Sequence, residues 1–122
     1  MKRDMDLIRQ ILLNLEAASA GALELKCVYA GHDSNEVHYH RWLILESGLA
    51  TGLDARTMDE KYNYILYDLT WQGHEFLDAS RDEGRWKRTK EICNRASSVT
   101  FNAVMVVLTN LATEAIKNGF PR

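Results

Sequence analysis

The segment from Asn35 to Leu49, NEVHYHRWLILESGL, constrains the fold more than any other part of the chain. Its apolar residues recur at helical spacing, and Gly48 can supply the left-handed turn that ends a helix without a Cβ penalty. Either Asp33 or Ser34 can accept a hydrogen bond from the first free amides of such a helix. The segment therefore predicts a capped helix that turns directly into a strand.

The two faces of this predicted helix differ in character. At about 100° per residue, one face is expected to be buried and the other to carry aromatic and polar side chains. Packing in the core accounts for the buried face. It does not account for a tryptophan and a tyrosine on the outward face. The inner face consists of Val37, His40, Leu43, Ile44 and Ser47, and the outer face of Asn35, His38, Tyr39, Trp42 and Glu46, with Arg41 at its edge.

Helical and extended segments are both predicted around the central helix. A helix is expected from about Asp4 to Ala18. A short strand is expected from Glu24 to Tyr29, because side chains of the two faces alternate there. The stretches Leu49–Leu53 and Tyr64–Leu69 predict two strands, and the polar stretch Asp54–Asn63 between them predicts the tip of a hairpin.

Three further helices are expected after the hairpin. Thr70 is a suitable cap for a helix over residues 71–80, with a mixed face supplied by Trp71, His74 or Glu75, Phe76 and Leu77. Another helix is expected over residues 85–96, and a last one over about 99–118. The last is apolar over so wide an arc that it either lies deep in a core or covers a second copy of itself. The expected inner positions of the 85–96 helix are Trp86, Thr89, Cys93 and Ala96.

Length and composition are those of one globular domain. The chain has 122 residues, of which 46% are hydrophobic and 26% charged, enough for a single core but not for two. No apolar run is long enough to span a bilayer and no secretory leader is recognisable, so we expect a cytoplasmic protein without a membrane partner. Cys27 and Cys93 lack CxxC spacing and are expected to be two buried, reduced thiols.

The sequence contains no recognisable catalytic or metal-binding pattern. His38 and His40 are two residues apart, so on a helix their side chains diverge by about 200° and cannot share an ion. His74 and Glu75 lack the second histidine of an HExxH motif. No Ser-His-acid order, glycine-rich phosphate loop or close carboxylate pair is present. We therefore expect no enzyme activity, no cofactor and no metal.

Three separated motifs, MKRDMDLIRQILLNLE, EVHYH…L…ESGL and LTWQGHEFLDASRD, occur in an order that resembles a family of short bacterial and prophage proteins. That family is a domain of unknown function with a predicted winged-helix fold, and the resemblance covers roughly residues 1–118. It implies a bacterial or phage setting and supplies no catalytic residue. The expected fold is α+β: a winged helix (helix, strand, helix, two-stranded wing) over residues 1–80, with a C-terminal helical extension over residues 81–122 packed on the same core.

Two features depart from DNA-binding winged helices. Only four residues separate the predicted strand, which ends near Ala30, from Asn35, so the positioning helix is missing or reduced to one turn. The charge is also unevenly placed. Residues 33–68, which would form the reading helix and wing, hold seven acidic and three basic residues, whereas residues 81–95 hold six basic and three acidic ones.

Two functions are compatible with this pattern. The favoured one is a non-catalytic regulatory protein, of phage or prophage type, that binds a protein partner, because Trp, Tyr and Arg dominate interface energetics. Trp42 could instead pack beneath the wing or the last helix. The alternative is a DNA-binding transcriptional regulator, with weak duplex binding because the reading face lacks cations. The residues expected at a protein interface are His38, Tyr39, Arg41 and Trp42, and those expected to contact phosphates are Arg81, Arg85, Lys87 and Arg88.

The basic helix, residues 81–95, could also be a simple solvated face. Self-association is compatible with either function. A homodimer would use the apolar side of the last helix, through Phe101, Val104, Leu108 and Leu111.

Overall fold

The computed structural model describes residues 1–18, 21–97 and 100–119. This part of the chain is mixed α+β, the class that the sequence predicts. It contains six helices and one two-stranded antiparallel sheet. The elements in chain order are α1 (Met5–Ala17), α2 (Gly21–Leu25), α3 (Ser34–Glu46), β1 (Ala50–Asp54), β2 (Tyr64–Leu69), α4 (Trp71–Ser80), α5 (Glu83–Arg95) and α6 (Phe101–Gly119).

Contacts divide the chain into two compact units, residues 1–75 (unit 1) and residues 76–122 (unit 2). The division falls inside α4, a few residues before the boundary expected after residue 80. A core shared by the two parts stays a prediction. Of the described helices, none combines the length and the apolar character needed to cross a membrane.

The first helix supplies much of the core of unit 1 and contacts α2, α3 and β2. Its start is capped by Asp4, whose carboxylate accepts the amides of Asp6 at 2.9 Å and Leu7 at 3.3 Å. Its apolar side chains recur every three or four residues and form a wide buried face, whereas Asp6, Gln10 and Glu16 are exposed on the other side. The buried apolar residues are Met5, Leu7, Ile8, Ile11, Leu12 and Leu15.

The central helix α3 has the predicted caps. Asp33 accepts the amide of Glu36 at 2.8 Å, and Gly48 adopts a φ of 75° just beyond the helix. Of the expected inner face, Val37, His40 and Ile44 are buried, whereas Ser47 is exposed.

Buried His40 ties the start of α1 to α3. The amide of Asp4 donates to His40 Nε2 at 2.8 Å, so this nitrogen carries no proton. Nδ1 therefore carries it and donates to the carbonyl of Glu36, also at 2.8 Å. Both ring nitrogens are thus used within the fold, as expected for a packed core histidine.

The predicted hairpin is present. Leu53 pairs with Ile65 and Gly52 with Leu66, and a bulge interrupts the register between Ala50 and Gly52. Gly52 has no room for a side chain, since a Cβ there would meet the carbonyl oxygen of Ile65 and lie 2.8 Å from a methyl group of Leu45. This close approach holds the hairpin against α3.

The strand predicted over Glu24–Tyr29 is wrong. A one-turn helix, α2, ends at Leu25, and the residues after it are not part of a strand. Burial does alternate as expected, with Tyr29 buried and Val28 92% exposed. Glu24 is buried because it pairs with Arg41, 17 positions away. An alternating pattern of neighbouring residues could not reveal this pair. A helix of one turn therefore precedes α3, but it lies before residues 26–30 and not in the four residues after Ala30 to which the sequence assigned a reduced positioning helix.

Unit 2 is built on the aromatic ring of Phe76, which lies 5.8 Å from the ring centres of both Trp86 and Phe101. One expectation for α5 is wrong, because Ala96, expected on its inner side, is exposed at the end of the helix. Of the mixed face expected for α4, Phe76 and Leu77 are buried and Trp71 is 77% exposed. The expected burial of Trp86, Thr89 and Cys93 is confirmed.

The last helix is not a deep core element. Only Val104 and Leu108 are fully buried, and Val106 is 60% exposed. Its predicted start at Val99 lies outside the described residues. Both cysteines, Cys27 and Cys93, are free. The expected burial is confirmed for Cys93 but is wrong for Cys27, which is partly exposed.

Candidate functional site

The sequence predicted Arg41 at the edge of an accessible face. This prediction is wrong, because Arg41 is only 2% exposed. Its Nε and Nη2 atoms both lie 2.9 Å from the carboxylate oxygens of Glu24. The Tyr29 hydroxyl donates to the same carboxylate at 2.8 Å, and burial is the main cause that raises the pKa of Tyr29. Arg41 therefore positions α2 against α3, and its guanidinium cannot be offered to a partner.

His38 joins α3 to the hairpin. Its Nδ1 accepts the amide of Tyr64 at 3.1 Å and lies 3.3 Å from Nη1 of Arg41. Burial first, and the positive charge of Arg41 second, hold the pKa of His38 below its ordinary value. The ring is therefore neutral at pH 7 and serves first as a structural acceptor.

The other predicted interface residues belong to an aromatic cluster, formed by Tyr39, Trp42 and Tyr62. The ring of Tyr39 lies 5.8 Å from that of Trp42 and 5.5 Å from that of Tyr62, in tilted and edge-to-face geometry. All three rings are partly exposed. Tyr62 was missed by the sequence reasoning; its signal was an aromatic residue in an otherwise polar loop.

The hairpin loop, residues 55–63, is held in shape by its own hydrogen bonds. The amide of Ala55 donates to the carbonyl of Asn63 at 2.9 Å, and the Thr57 hydroxyl donates to Glu60 at 2.7 Å. The Thr57 bonds lower the pKa of Glu60, so its carboxylate is charged at neutral pH. These bonds restrict the path of the loop backbone between residues 55 and 63.

A cleft of about 410 Å³ lies between the start of α3 and this loop. It holds two acidic groups, Asp59 and Glu60, and one cation, Lys61, whose ammonium lies 5.4 Å from the ring centre of Tyr62. The helix start beside it is already capped by Asp33, which weakens any attraction for an external anion. The lining residues are Ser34, Asn35, His38, Asp59, Glu60, Lys61, Tyr62 and Asn63.

The predicted phosphate-binding residues lie at or near α5. Two of them have partners within the described part of the fold and two do not. Arg81 pairs with Asp78 at 3.0 Å, and Arg85 donates to the carbonyl of Ala79 at 3.0 Å. Lys87 and Arg88 are exposed and form no hydrogen bond or ion pair with the described residues. Within residues 1–18, 21–97 and 100–119, no group of three or more His, Cys, Asp and Glu side chains could hold a metal ion.

Residues 2–100 match the family described as "Hypothetical protein (DUF2513)". The chain belongs to this family. The match spans the cleft and the aromatic cluster and ends just before α6, and it confirms the resemblance to a family of unknown function. A Haemophilus influenzae protein named "Uncharacterized protein" is 36% identical over 119 residues, which cover 95% of this chain and 99% of the relative.

No solved structure matches the chain. The DUF2513 family is therefore established by sequence, whereas its winged-helix fold is not established by any structural neighbour.

Proposed function

We propose that this protein is a non-catalytic regulatory protein of winged-helix type, of the phage or prophage kind that the family resemblance implies, and that it acts by binding a protein partner. The contact is made by the cleft and the aromatic cluster, which together we call the α3–hairpin surface. The order α1, α2, α3, β1, β2 supports the winged-helix assignment, with α2 as a positioning helix of one turn and the hairpin as the wing.

The single observation that carries the proposal is the placement of the aromatic cluster beside a preformed cleft. Tyr39 and Trp42 come from α3 and Tyr62 comes from the loop, so two elements build one surface. Large, rigid aromatic side chains next to a concavity are the usual anchors of protein interfaces. The loop is closed by its own bonds, which lowers the entropy lost when a partner binds.

Charge argues against nucleic acid at this surface. Arg41, the one arginine of α3, is neutralised by Glu24. Asp59 and Glu60 line the cleft, and Lys61 alone cannot offset them. Because duplex affinity rests largely on neutralised phosphates, a surface of this composition favours a protein over a polyanion.

The test is affinity capture from an extract of the native host, with and without nuclease. Trp42→Ala removes an anchor, and Asn35→Arg places a long side chain in the cleft without altering the core. Trp71→Ala is the matched control, because Trp71 is an exposed tryptophan that is not part of the α3–hairpin surface. Melting temperatures verify that each variant is folded.

We expect wild type and Trp71→Ala to retain the same protein after nuclease treatment, and both Trp42→Ala and Asn35→Arg to lose it. Loss of all captured material on nuclease treatment would overturn the proposal. Undiminished capture by folded Trp42→Ala and Asn35→Arg would overturn it equally.

A further inference from the structure

The charge of the chain is divided between its two units. Unit 1 holds twelve acidic and seven basic residues, whereas unit 2 holds five acidic and eight basic ones. The excess of cations in unit 2 is concentrated on α5, which carries five of the eight. A basic helix attached to an acidic unit is unlike a surface whose charges are evenly mixed for solubility.

The cations of α5 are sorted by face. Counting about 100° per residue, the buried residues Trp86, Thr89 and Cys93 define the inner side. One flank of the remaining surface carries only Arg85, Arg88, Ile92 and Arg95, and we call it the arginine flank. Lys87 lies on the opposite flank together with Glu83, and Glu91 lies between the two flanks.

The arginine flank is accessible. Arg88 and Arg95 are exposed and make no hydrogen bond or ion pair with the described residues. Arg85 is anchored through one nitrogen on the Ala79 carbonyl, at 3.0 Å, which leaves its other donors available. Ile92 is 37% exposed between the arginines. The three guanidinium groups originate within ten residues, or about 15 Å of helix.

We propose that the arginine flank binds the phosphate backbone of nucleic acid, without reading its sequence. Arginine presents a planar fork of donors that matches phosphate oxygens bidentately, and this flank uses arginine at every charged position. The three arginines follow one side of α5, with the Glu91 carboxylate one turn from both Arg88 and Arg95, and the remaining excess of positive charge suits a linear polyanion. Non-specific backbone binding of this kind is separate from the protein contact proposed for the α3–hairpin surface.

The number of cations fixes a measurable quantity. For a duplex, the logarithm of the binding constant falls with the logarithm of the salt concentration with a slope of about −0.9 per neutralised phosphate. Three arginines therefore predict a slope of about −2.7 for a duplex, and about −2.1 for a single strand, at −0.7 per phosphate. With so few contacts, the Kd at physiological salt should be no tighter than about 10⁻⁶ to 10⁻⁴ M.

The experiment is fluorescence anisotropy of the full chain with a labelled 20-base-pair duplex at several salt concentrations, repeated with a scrambled duplex. Arg88→Gln and Arg95→Gln should each reduce the slope by about 0.9. Lys87→Gln is the matched control: it removes the same charge from the same helix on the other flank, and it should leave the slope unchanged.

Equal binding of both duplexes with a slope near −2.7 would support the inference, provided that the two arginine variants reduce it and the lysine variant does not. A slope near zero would overturn it, as would equal effects of Lys87→Gln and Arg88→Gln. Competition by poly-glutamate as strong as that by unlabelled duplex would also overturn it, because the flank would then fit an acidic protein. Nanomolar, sequence-dependent binding would overturn the inference as well, because the protein would then read the bases.

Discussion

Arg41 and Glu24 form a buried ion pair in which Nη2 and Oε2 lie 2.9 Å apart, with the side chains 3% and 0% exposed. The pair joins the one-turn helix α2 to α3, and the Tyr29 hydroxyl adds a third bond to the same carboxylate. A helix as short as α2 is not stable by itself, so its position depends on this contact. The same contact removes from the surface of α3 the one arginine that could have met a phosphate.

Breaking this pair from one side should be costly. Arg41→Met leaves the Glu24 carboxylate buried without its partner, and we expect a loss of about 3–5 kcal/mol in the free energy of unfolding. The double variant Glu24→Gln/Arg41→Met should recover much of that loss, because no buried charge remains and Gln still accepts the Tyr29 bond. Urea denaturation measures both. Arg56→Met, which breaks the exposed pair with Asp54, is the control and should have little effect. A loss no larger for Arg41→Met than for Arg56→Met would contradict the argument.

Gly73 should not tolerate a side chain. A Cβ at this position of α4 would meet the carbonyl oxygen of Leu49 and lie 3.3 Å from a methyl group of Leu69. Because the obstacle is backbone, it cannot rotate away, and Gly73→Ala should lower the free energy of unfolding by about 1–3 kcal/mol. Gly119→Ala is the control, since a Cβ there meets nothing within 4 Å. Equal stability of the two variants in thermal unfolding would show that α4 does not approach Leu49 so closely.

His38 should make the stability of the fold depend on pH. Its pKa is held below the ordinary value of 6.5, mainly by burial. The unfolded chain therefore takes up a proton at a higher pH than the folded chain does, so stability decreases as the pH falls below about 6.5. The protonated ring would also lose the acceptor that binds the Tyr64 amide.

Urea midpoints at pH 7.5 and 5.5 test this expectation. His38→Gln keeps an acceptor for Tyr64 but cannot titrate, so the difference between the two midpoints should shrink. If His38→Gln retains the full difference, His38 is not its source.

Self-association through α6 has to use a different part of the helix than the sequence predicted. Val104 and Leu108 are buried within the chain and cannot also face a second copy. Leu111 is partly exposed and Ile116 is 59% exposed, so a dimer would form on the C-terminal half. We expect a concentration-dependent mass in light scattering that Ile116→Asp abolishes. A monomeric mass at high concentration would contradict the prediction.

Local patterns were sufficient for most elements. The caps at Asp4 and Asp33 and the turn at Gly48 depend on neighbouring residues alone, so α1 and α3 begin and end within about a residue of the prediction. The limits of β2 and α4 are those predicted.

Contacts between distant residues could not be read in this way. The burial of Glu24 and Arg41 depends on a pair 17 residues apart, so alternation suggested a strand and the helical wheel placed Arg41 at an accessible edge. For the same reason the cleft was not predicted. Asn35 and His38 lie on the expected outer face of α3, whereas the loop that brings Tyr62 to them is positioned by bonds that the sequence pattern does not contain.

The most direct measurement is site-specific photo-crosslinking in the native host from a photoreactive amino acid in place of Asn35, within the cleft. The same photoreactive residue at Tyr67, an exposed position of β2 that does not line the cleft, is the control. We predict a discrete, nuclease-resistant protein adduct from position 35 and none from position 67. Adducts that nuclease removes, or identical adducts from both positions, would contradict a protein-binding role for the α3–hairpin surface.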